Sequence, residues 1–355
     1  MIDFSIYKNK KVLITGSTGF KGSWLAYILY VLGAKVIGSS LKPDIDSVVF
    51  RSLKIEKKIK QYYVDINDYK KLNKIILKEN PEIIFHLAAQ SIVSDSIDNP
   101  LNTIETNILG SANVLSSFKN SNSKVLVYCT SDKCYQNNEW IWGYRENDIM
   151  GGKDPYSASK ACAEIIFNSY NKTFFIKNNK QKLATVRAGN VIGGGDFKKD
   201  RLIPDIIKSL YANKTLKIKN PKSIRPWQHV LEPLSGYLLV GKKLLSSKKN
   251  YEIPNWNFGP NVDRFYTVKY ILNEIQKLNN LKLKIIYLNF NKTKYESKYL
   301  LLNSDKAKLE LGWKPKLDIK QTIKMTLDWY NEYYKNKKNI ENFTQNQIIN
   351  FFNIK

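Results

Sequence analysis

Cysteine and histidine are scarce in this sequence. Its 355 residues include three cysteines, Cys129, Cys134 and Cys162, and two histidines, His86 and His229. Three cysteines without a CxxC pair argue against a disulfide framework and predict reduced thiols in a cytoplasmic protein. Two histidines are too few for a histidine-rich metal site, so no metal centre is expected, and they argue against a Ser-His-Asp hydrolase.

Long hydrophobic runs are also missing. The longest apolar stretch, Trp24–Ala34, is about half of the ~20 residues that a membrane span needs, and it contains Gly33. It therefore predicts a buried helix. No apolar segment precedes Lys8 and Lys10, so we expect no secretory signal. Hydrophobic residues make up 43% of the chain and charged residues 25%, which excludes a wholly disordered protein.

Acidic residues are few relative to basic ones. There are 31 Asp and Glu against 57 Lys and Arg, a formal net charge of +26. Such an excess can signal a nucleic acid, an anionic membrane or a phosphorylated substrate. The lysines are scattered over the whole chain, so we interpret them as solvated surface and expect neither a membrane nor a nucleic acid as partner. The remote alternative is a non-catalytic protein with this fold that binds nucleic acid, with steeply salt-dependent affinity for random DNA.

Short β-rich runs alternate with helical patterns over roughly the first 190 residues. The predicted strands are Lys11–Thr15, Lys35–Ser39, Gln61–Asp65, Ile83–Leu87, Val125–Thr130 and Leu183–Ala188. The predicted helices are Gly19–Leu32, Asp68–Lys78, Pro100–Lys119 and Tyr156–Tyr170. This order predicts an α/β fold with a Rossmann-like, doubly wound parallel sheet.

The composition of the sequence changes after Gly189. A run of glycines and several prolines follow, which favour a smaller, mixed α/β C-terminal domain. We place the boundary between residues 1–189 and 190–355, with some later segments returning to the large sheet. The end of the chain, Tyr333–Lys355, is rich in Asn and Lys and predicts a helix followed by a tail.

A glycine loop joins the first predicted strand to the first predicted helix. Gly16 permits a tight turn, Gly19 lets the backbone approach a pyrophosphate, and Gly22 allows close packing of helix on sheet. The helix N-terminus then offers free N–H groups and a positive dipole to the phosphates. The loop therefore predicts dinucleotide binding.

No acidic residue follows the second predicted strand. An acid at this point usually holds the adenosine ribose, but the sequence has Ser39, Ser40, Leu41 and Lys42, and Asp44 is the first acid. The ribose is therefore expected to be held weakly, and Lys42 keeps a 2′-phosphate conceivable. We favour NAD as cofactor, because the family resemblance given below implies a reaction that returns its own hydride and so does not need the NADPH pool.

Tyr156 and Lys160 form a Tyr-x-x-x-Lys pair. Their spacing places both side chains on one face of a helix. A tyrosine with a pKa of about 10 is a poor base at neutral pH, and lowering that pKa to near 7 takes about 4 kcal/mol. The Lys160 ammonium and a nicotinamide cation would together favour the phenolate. We therefore expect Tyr156 to act as a catalytic base.

Three polar residues follow the fifth predicted strand, where the chain resembles nucleotide-sugar 4,6-dehydratases in carrying an acid, and the resemblance implies that they serve an elimination of water. Ser131 could hold negative charge developing on an oxygen, and Asp132 could protonate a departing hydroxyl. Lys133 could remove a carbon-bound proton if it is neutral, or stabilise an enolate if it stays charged. Both readings of Lys133 stay open.

The GxxGxxG spacing and the Tyr-x-x-x-Lys pair resemble the extended members of the short-chain dehydrogenase/reductase superfamily. The cofactor contacts that this resemblance implies are Gly16, Thr18, Gly19, Phe20, Gly22, Asp65, Ile66, Leu87, Ala88, Ala89, Asn107, Tyr156 and Lys160. The alternative for Asp65 is a helix N-cap. Members of the superfamily that only oxidise, reduce or epimerise a sugar usually carry Ser and Thr after the fifth strand, whereas nucleotide-sugar 4,6-dehydratases place an acid there.

Longer blocks extend the resemblance to the family of CDP-glucose 4,6-dehydratases, from about residue 10 to 330. The blocks are residues 19–24, 130–135, 140–146, 151–156, 187–196, 200–205 and 224–237. Ser17 departs from the family, in which His or Ala is common. The resemblance implies oxidation at C4 of CDP-glucose, loss of water across C5 and C6, and return of the hydride to C6. Other GDP-, UDP- or dTDP-linked hexoses or heptoses are the alternative substrates.

The same resemblance implies which residues hold the nucleotide sugar and how subunits associate. The implied substrate contacts are Ser131, Asn190, Arg201, Arg225, Gln228 and His229. Arginine suits a diphosphate because its planar fork binds two oxygens, although a structural ion pair is the alternative for each arginine. A packing role is the alternative for Gln228 and His229. A homodimer or homotetramer is implied, paired through the helices near residues 100–118 and 156–172.

Overall fold

The protein is described from a computed structural model. It describes residues 3–177, 180–248, 250–261, 266–279, 283–288 and 297–354. The strands are β1 (Lys11–Thr15), β2 (Lys35–Ser40), β3 (Lys60–Tyr63), β4 (Ile83–His86), β5 (Val125–Cys129), β6 (Lys182–Ala188), β7 (Val191–Ile192), β8 (Leu216–Ile218), β9 (Gln228–His229), β10 (Asn255–Phe258) and β11 (Ile285–Tyr287).

The helices cover both sides of the main sheet. They are α1 (Phe20–Val31), α2 (Val48–Ser52), α3 (Tyr69–Glu79), α4 (Val93–Asp98), α5 (Pro100–Ile104), α6 (Ser111–Lys119), α7 (Pro155–Tyr170), α8 (Leu202–Tyr211), α9 (Leu231–Ser246), α10 (Val268–Asn279), α11 (Asp305–Leu311), α12 (Ile319–Lys335) and α13 (Ile340–Phe352). Shorter 3-10 and π segments lie between some of them.

Seven parallel strands form the main sheet in the order β10-β6-β5-β4-β1-β2-β3. The chain moves outward in one direction from β1 to β3 and in the other from β4 to β6. The carboxyl ends of β1 and β4 therefore flank a switch point, where ligands bind in open α/β sheets. Two-stranded parallel sheets form from β7 with β9 and from β8 with β11.

Alternate residues of the central strands pack into two apolar layers. Ile14, Phe85 and Val127 face the core shared with α1, α9, α12 and α13. Their neighbours Leu13 and Leu126 face the core shared with α3, α6 and α7. Because both faces of these strands are buried, their sequences are continuous apolar runs rather than alternating apolar and polar residues. The predicted Rossmann-like, doubly wound parallel sheet is confirmed.

The six predicted strands are all present, with ends that differ by at most two residues. The helix predicted over Pro100–Lys119 is present with those bounds, although it is not a regular α-helix throughout. The segment comprises α5, a π-helical stretch at Glu105–Gly110 and α6. The π stretch contains Asn107, whose buried side chain bonds to both backbone polar groups of Gln90. Such widened turns often occur where a side chain serves a site.

A helix is present within Tyr333–Lys355, as predicted, but the tail predicted to follow it is wrong. The helix α12 ends at Lys335, and a second helix, α13, follows it and packs into the core. Buried residues recur on one face of α13 at Ile340, Thr344, Ile348 and Phe351. Intervening Asn and Gln residues mask this helical periodicity in the sequence, because only about one residue in three is buried.

The strand β10, which lies after residue 190, pairs with β6 at the edge of the main sheet. The sheet therefore contains strands from both sides of the proposed boundary, and the division into residues 1–189 and 190–355 stays a prediction. Within the described ranges, no helix combines the length and the apolar character that crossing a membrane requires.

Candidate active site

A cleft of about 310 Å³ opens at the carboxyl edge of the main sheet. It is lined by residues that follow β1, β4, β5 and β6, together with the first turn of α8 and the segment before β9. The predicted site residues that line it are Phe20, Ser131, Asp132, Lys133, Tyr156, Asn190, Arg201 and Arg225. Groups from distant parts of the sequence are thus brought to one place.

The glycine loop after β1 has no room for side chains. Gly16 has a φ of +73°, and a Cβ there would lie 2.7 Å from the backbone nitrogen of Ala88. A Cβ on Gly22 would lie 2.0 Å from the carbonyl oxygen of Gly16. The helix α1 begins at Phe20 without an acidic residue in its first turn. The loop therefore fits the phosphates of a dinucleotide, which would meet bare backbone and the N-terminal N–H groups of α1.

The surface beside β2 is polar but carries no acid. The Ser17 hydroxyl donates to Gln61 Oε1 at 2.9 Å and lies 3.3 Å from the Ser40 hydroxyl oxygen. Asp44, the first acid after β2, is paired with Lys198 instead. The acid-free ribose position expected from the sequence is therefore also found in the structure.

The remaining predicted cofactor contacts lie around the carboxyl ends of β1 and β4. Thr18 donates to the carbonyl oxygen of Leu41 at 3.2 Å, and the Ala88 N–H donates to Thr15 Oγ1 at 3.3 Å. Leu87 and Ala89 are partly exposed beside Ala88. Asn107 holds this segment to α7, because its Nδ2 also donates to the Ser159 hydroxyl at 2.9 Å.

Asp65 and Ile66 lie between β3 and α3. Ile66 is buried, whereas Asp65 is exposed and accepts the N–H of Asn67 at 2.9 Å. The N-cap of α3 is Asp68, which accepts the N–H of Lys71. The alternative role of Asp65 as the N-cap is therefore wrong, while its contact with the cofactor stays a prediction.

His86 is part of the scaffold at the end of β4. Its Nδ1 lies 2.7 Å from Thr15 Oγ1 and its Nε2 lies 3.0 Å from Ser111 Oγ. Burial, with a smaller contribution from the charge of Lys160, lowers the pKa of His86 to about 3. The ring is therefore neutral and connects β1, β4 and α6 through hydrogen bonds.

Tyr156 and Lys160 lie in the first two turns of α7. Asp154 caps this helix by accepting the N–H of Ser157 at 2.9 Å, and Pro155 occupies its first position. Both side chains are buried, and Lys160 Nζ lies 6.0 Å from the centroid of the Tyr156 ring. The predicted placement on one helix face is confirmed.

The pKa of Tyr156 differs from the expectation. Burial raises this pKa to about 12, and a hydrogen bond with Ser131 only partly offsets the effect. Burial also lowers the pKa of Lys160 to about 8, with a further contribution from the charge of Lys21. The expected lowering of the Tyr156 pKa is therefore absent in the protein alone, because desolvation of the phenolate outweighs the hydrogen bond with Ser131 and the charge of Arg201.

Asp132 is a buried carboxyl group in the turn after β5. Its Oδ1 accepts the Ser131 hydroxyl at 2.9 Å, whereas its buried Oδ2 has no hydrogen-bond partner among the described residues. Burial raises the pKa of Asp132, and the charge of Lys133 is the largest opposing effect. A buried carboxyl group with a raised pKa and a free oxygen is suited to protonate a leaving group.

Lys133 lines the cleft next to Asp132 and is partly buried. Within the described ranges, its Nζ takes part in no hydrogen bond or ion pair. The ammonium or amine is thus available to a substrate. Its assignment as proton acceptor or electrostatic stabiliser remains open.

Two arginines line the cleft beside Asn190. Arg201 donates to Asp196 Oδ2 at 2.8 Å and to the Ser91 hydroxyl at 3.0 Å. Arg225 donates to the carbonyl oxygens of Ile224 and Ser297 at 2.7 and 2.8 Å. These bonds fix the two guanidinium groups in place. For Arg201, the bond to Asp196, which also lines the cleft, is the structural ion pair given as its alternative role.

Gln228 and His229 are not brought to the lining of the cleft. Both are buried in β9, where Gln228 Nε2 donates to the carbonyl oxygen of Phe258 at 2.8 Å. His229 Nδ1 accepts the N–H of Leu231 at 3.3 Å, and burial lowers the pKa of His229 to about 3. Their surroundings favour the packing role over the substrate role.

Lys21 is a cleft residue that the motif analysis did not single out. It lines the cleft, and its Nζ lies 5.9 Å from the centroid of the Tyr237 ring. No hydrogen-bond or ion-pair partner is found for it in the described part of the chain. Burial lowers its pKa. The sequence signal that could have identified Lys21 is its charge, because it lies between Phe20 and Gly22 at the start of the otherwise apolar helix α1.

Comparison with known proteins identifies the family. Residues 13–326 match the family described as GDP-mannose 4,6 dehydratase. The chain belongs to this family. A CDP-glucose 4,6-dehydratase of Salmonella typhimurium is 43% identical to the chain over 335 residues, which cover 93% of each protein. The predicted membership among the nucleotide-sugar 4,6-dehydratases is confirmed.

More distant relatives share the family fold. A dTDP-glucose 4,6-dehydratase of Shigella flexneri is 26% identical over 90% of the chain and 92% of its own length. The structure of a Thermotoga maritima UDP-glucose 4-epimerase with UDP-glucose matches with a TM-score of 0.79 and 21% identity, over 92% of the chain and 100% of the epimerase. A Bacillus anthracis dTDP-glucose 4,6-dehydratase in complex with NAD matches with a TM-score of 0.76 and 23% identity, over 91% and 97%.

Proposed function

We propose that the chain is a lyase that converts CDP-glucose to CDP-4-keto-6-deoxyglucose with NAD as its resident cofactor. The observation that carries this proposal is the buried Asp132 carboxyl group in the same cleft as Tyr156. Epimerases of the superfamily have no need for an acid at this position. The 43% identical relative, a CDP-glucose 4,6-dehydratase, supports the choice of nucleotide.

The loop Gly16–Gly22 and the segment Leu87–Ala89 would hold the cofactor. A bound NAD would supply a hydride acceptor for sugar C4 and a hydride donor for C6, so that the whole reaction involves no net oxidation. Phosphates would meet the N-terminus of α1, as the bare glycine loop allows. The ribose would be held by neutral polar groups near Ser39 and Ser40.

Tyr156 would remove the proton of the C4 hydroxyl. The hydrogen bond from Ser131 favours the phenolate and offsets part of the effect of burial on the Tyr156 pKa. The Lys160 ammonium stabilises the same phenolate electrostatically. The single Ser131 proton would turn from Asp132 to the phenolate in this step, and to the oxygen at C4 only after Tyr156 has taken up the sugar proton.

Asp132 would protonate the C6 hydroxyl as water departs. Its raised pKa keeps the proton available, and its Oδ2 is free to contact the sugar. The C5 proton would pass to Lys133 or to another base, with Lys133 then stabilising the enolate. A double bond between C5 and C6 forms as the C6–O bond breaks.

The charges of Arg201 and Arg225 would hold the diphosphate of the nucleotide sugar. Both guanidinium groups are preorganised by neighbours, so little side-chain entropy is lost when a substrate binds. Asn190 would contact the sugar or the diphosphate between them. These roles are consistent with the excess of positive charge in the cleft.

The test is incubation of the purified protein with NAD⁺ and, separately, CDP-glucose, UDP-glucose, dTDP-glucose and GDP-mannose. Loss of one water by mass and the alkaline absorbance of a 4-keto-6-deoxy sugar report the product. Turnover of CDP-glucose alone is expected. Turnover of another nucleotide sugar instead would replace the substrate and keep the mechanism, and no dehydration of any of the four would refute the proposed function.

The protein would act as a homodimer or a pair of such dimers in the cytoplasm. Large apolar side chains are exposed on neighbouring helices, with Leu101 78%, Leu109 57% and Ile165 58% accessible. Buried in a subunit interface, they would give the four-helix contact implied by the family resemblance. Light scattering at micromolar concentration should report at least a dimer, and a monomer at that concentration would contradict it.

A further inference from the structure

A fully buried ion pair lies beneath the cleft. Arg187 of β6 donates from Nε to Glu164 Oε1 at 2.7 Å and from Nη2 to Glu164 Oε2 at 2.8 Å. Both side chains have no accessible surface. Neither group can therefore touch a substrate, and the two-bond geometry fixes the carboxylate and the guanidinium relative to each other.

This pair holds both ends of the turn that carries Asp132. At the start of the turn, the Thr130 hydroxyl donates to Glu164 Oε1. At its end, Arg187 Nη1 donates to the Tyr135 hydroxyl oxygen at 2.7 Å. The residues between these two anchors are Ser131, Asp132, Lys133 and Cys134. The position of the acid turn is thus set by one carboxylate and one guanidinium.

The same carboxylate belongs to the helix that carries the base. Glu164 follows Lys160 by four residues and Tyr156 by eight on α7, so the three lie along one helix face. The pair therefore connects the Tyr156–Lys160 face to the Ser131–Asp132 turn a second time, in addition to the direct hydrogen bond between Ser131 and Tyr156.

The surrounding hydrogen bonds leave the network little freedom. Arg187 Nη1 also donates to the carbonyl oxygen of Glu146 at 2.9 Å, and the Tyr135 hydroxyl donates to Asn257 Oδ1 at 2.8 Å. Asn257 in turn donates its N–H to Glu146 Oε1 at 2.8 Å. The network thus extends from helix α7 to β6 and β10, which are neighbouring strands of the main sheet.

We propose that Glu164 and Arg187 are positioning residues that hold Asp132 at a fixed distance and angle from Tyr156. This inference rests on the proposed 4,6-dehydration. Oxidation at C4 depends chiefly on Tyr156 and Lys160, which stay together on one helix, and on the turn only through the Ser131 hydroxyl. Elimination of water also needs Asp132 at C6 of the same sugar, so it depends on the relative placement of the turn and the helix.

The test separates oxidation at C4 from elimination of water. It uses variants that each remove one hydroxyl group and leave every charged group in place. Thr130→Val loosens the start of the turn, and Tyr135→Phe loosens its end. In single turnovers with NAD⁺ and CDP-glucose, both should lower the rate of dehydration about tenfold. The rate of C4 oxidation, read from the absorbance of the reduced nicotinamide, should fall by clearly less, because only the Ser131 hydroxyl links that step to the turn. The reduced cofactor and a 4-keto sugar that retains its C6 hydroxyl should then accumulate.

The matched variant Thr130→Ser keeps the hydroxyl and should restore the wild-type ratio of the two rates. Ile348→Ala, in the buried face of α13, serves as a control for lost stability and should leave that ratio unchanged. If Thr130→Val does not fold, as judged by circular dichroism, Tyr135→Phe decides the question, because its ring can remain stacked on Tyr144.

Parallel loss of both steps in the variants, with an active wild type, would overturn the positioning role and leave the proposed function intact. The same ratio change in Ile348→Ala would also overturn it, because reduced stability would then explain the effect. A wild type that dehydrates none of the four nucleotide sugars would instead refute the proposed function.

Discussion

Individual residues of the cleft owe their chemistry to burial more than to neighbouring charges. Desolvation raises the pKa of both Asp132 and Tyr156 and lowers that of Lys160. Burial thus helps Asp132 to act as an acid and hinders Tyr156 from acting as a base. Tyr156 therefore depends on Ser131 and on positive charge in the loaded cleft.

Asp132→Asn should abolish dehydration and spare C4 oxidation. An amide cannot protonate the departing hydroxyl, and loss of a general acid costs about 10²- to 10⁴-fold in rate. Single-turnover measurements of product mass and reduced nicotinamide separate the two steps. Asp305→Asn, an exposed carboxylate on α11, is the control and should change neither. A dehydration rate in Asp132→Asn close to that of the wild type would rule out Asp132 as the acid.

The pH dependence of the elimination step follows from the same group. Because burial raises the pKa of Asp132, the active protonated form persists to higher pH than for an ordinary aspartate. The dehydration rate should fall as pH rises through this pKa, and the fall should be absent in the residual activity of Asp132→Asn. An elimination rate that instead rises steadily with pH would contradict an acid role.

Among the elements, helix α13 packs the end of the chain into the hydrophobic core. Ile348 has no accessible surface, and Phe352 packs against Phe4 with ring centroids 5.4 Å apart. The Thr344 hydroxyl accepts the indole N–H of Trp329 at 2.8 Å, which joins α13 to α12. This helix is part of the core, although its composition resembles that of a solvated tail.

Ile348→Ala should lower the free energy of unfolding by about 2–5 kcal/mol, since it leaves a cavity in a packed core. Denaturant titration measures the change. Asn346→Ala, on the exposed face of the same helix, should change stability by less than about 0.5 kcal/mol. Equal effects of the two substitutions would show that α13 does not dock as described.

At the scale of the whole molecule, a buried acid joins α9 to the segment between α11 and α12. Glu232 Oε1 accepts the N–H groups of Lys316 and Leu317 at 2.8 and 2.7 Å, whereas its buried Oε2 has no partner among the described residues. Burial raises the pKa of Glu232 to about 7, against the lowering effect of these N–H groups. The folded protein therefore holds a proton that the unfolded chain releases at lower pH.

The contribution of Glu232 to stability should consequently fall as pH rises from about 4.5 to 7. Over that range this group binds one more proton in the native state than in the unfolded state, which corresponds to about 3 kcal/mol. The lowered pKa values of His86 and His229 act in the opposite direction, so the Glu232 contribution is read only from the difference between wild type and a variant. Glu232→Gln removes this group, so the difference in unfolding free energy between wild type and variant should change by that amount. Parallel stability–pH curves would show that Glu232 has an ordinary pKa.

Local spacing along the chain was enough to determine the fold class and the two main motifs. The alternation of strands and helices, the loop Gly16–Gly22 and the Tyr156–Lys160 pair each depend on residues fewer than about 15 positions apart. Short-range backbone geometry governs such patterns, so they are visible without a structure. The role predicted for Asp132 instead came from the resemblance to nucleotide-sugar 4,6-dehydratases, which place an acid after the fifth strand.

Only the tertiary structure decided which polar groups face the cleft and which are buried in the core. Gln228 and His229 lie inside, Lys21 lines the cleft, and the pKa of Tyr156 is raised although a lysine lies four residues away. The bond between Arg187 and Tyr135 joins residues 52 positions apart. Burial and long-range pairing depend on how elements pack, and no local pattern in the sequence encodes them.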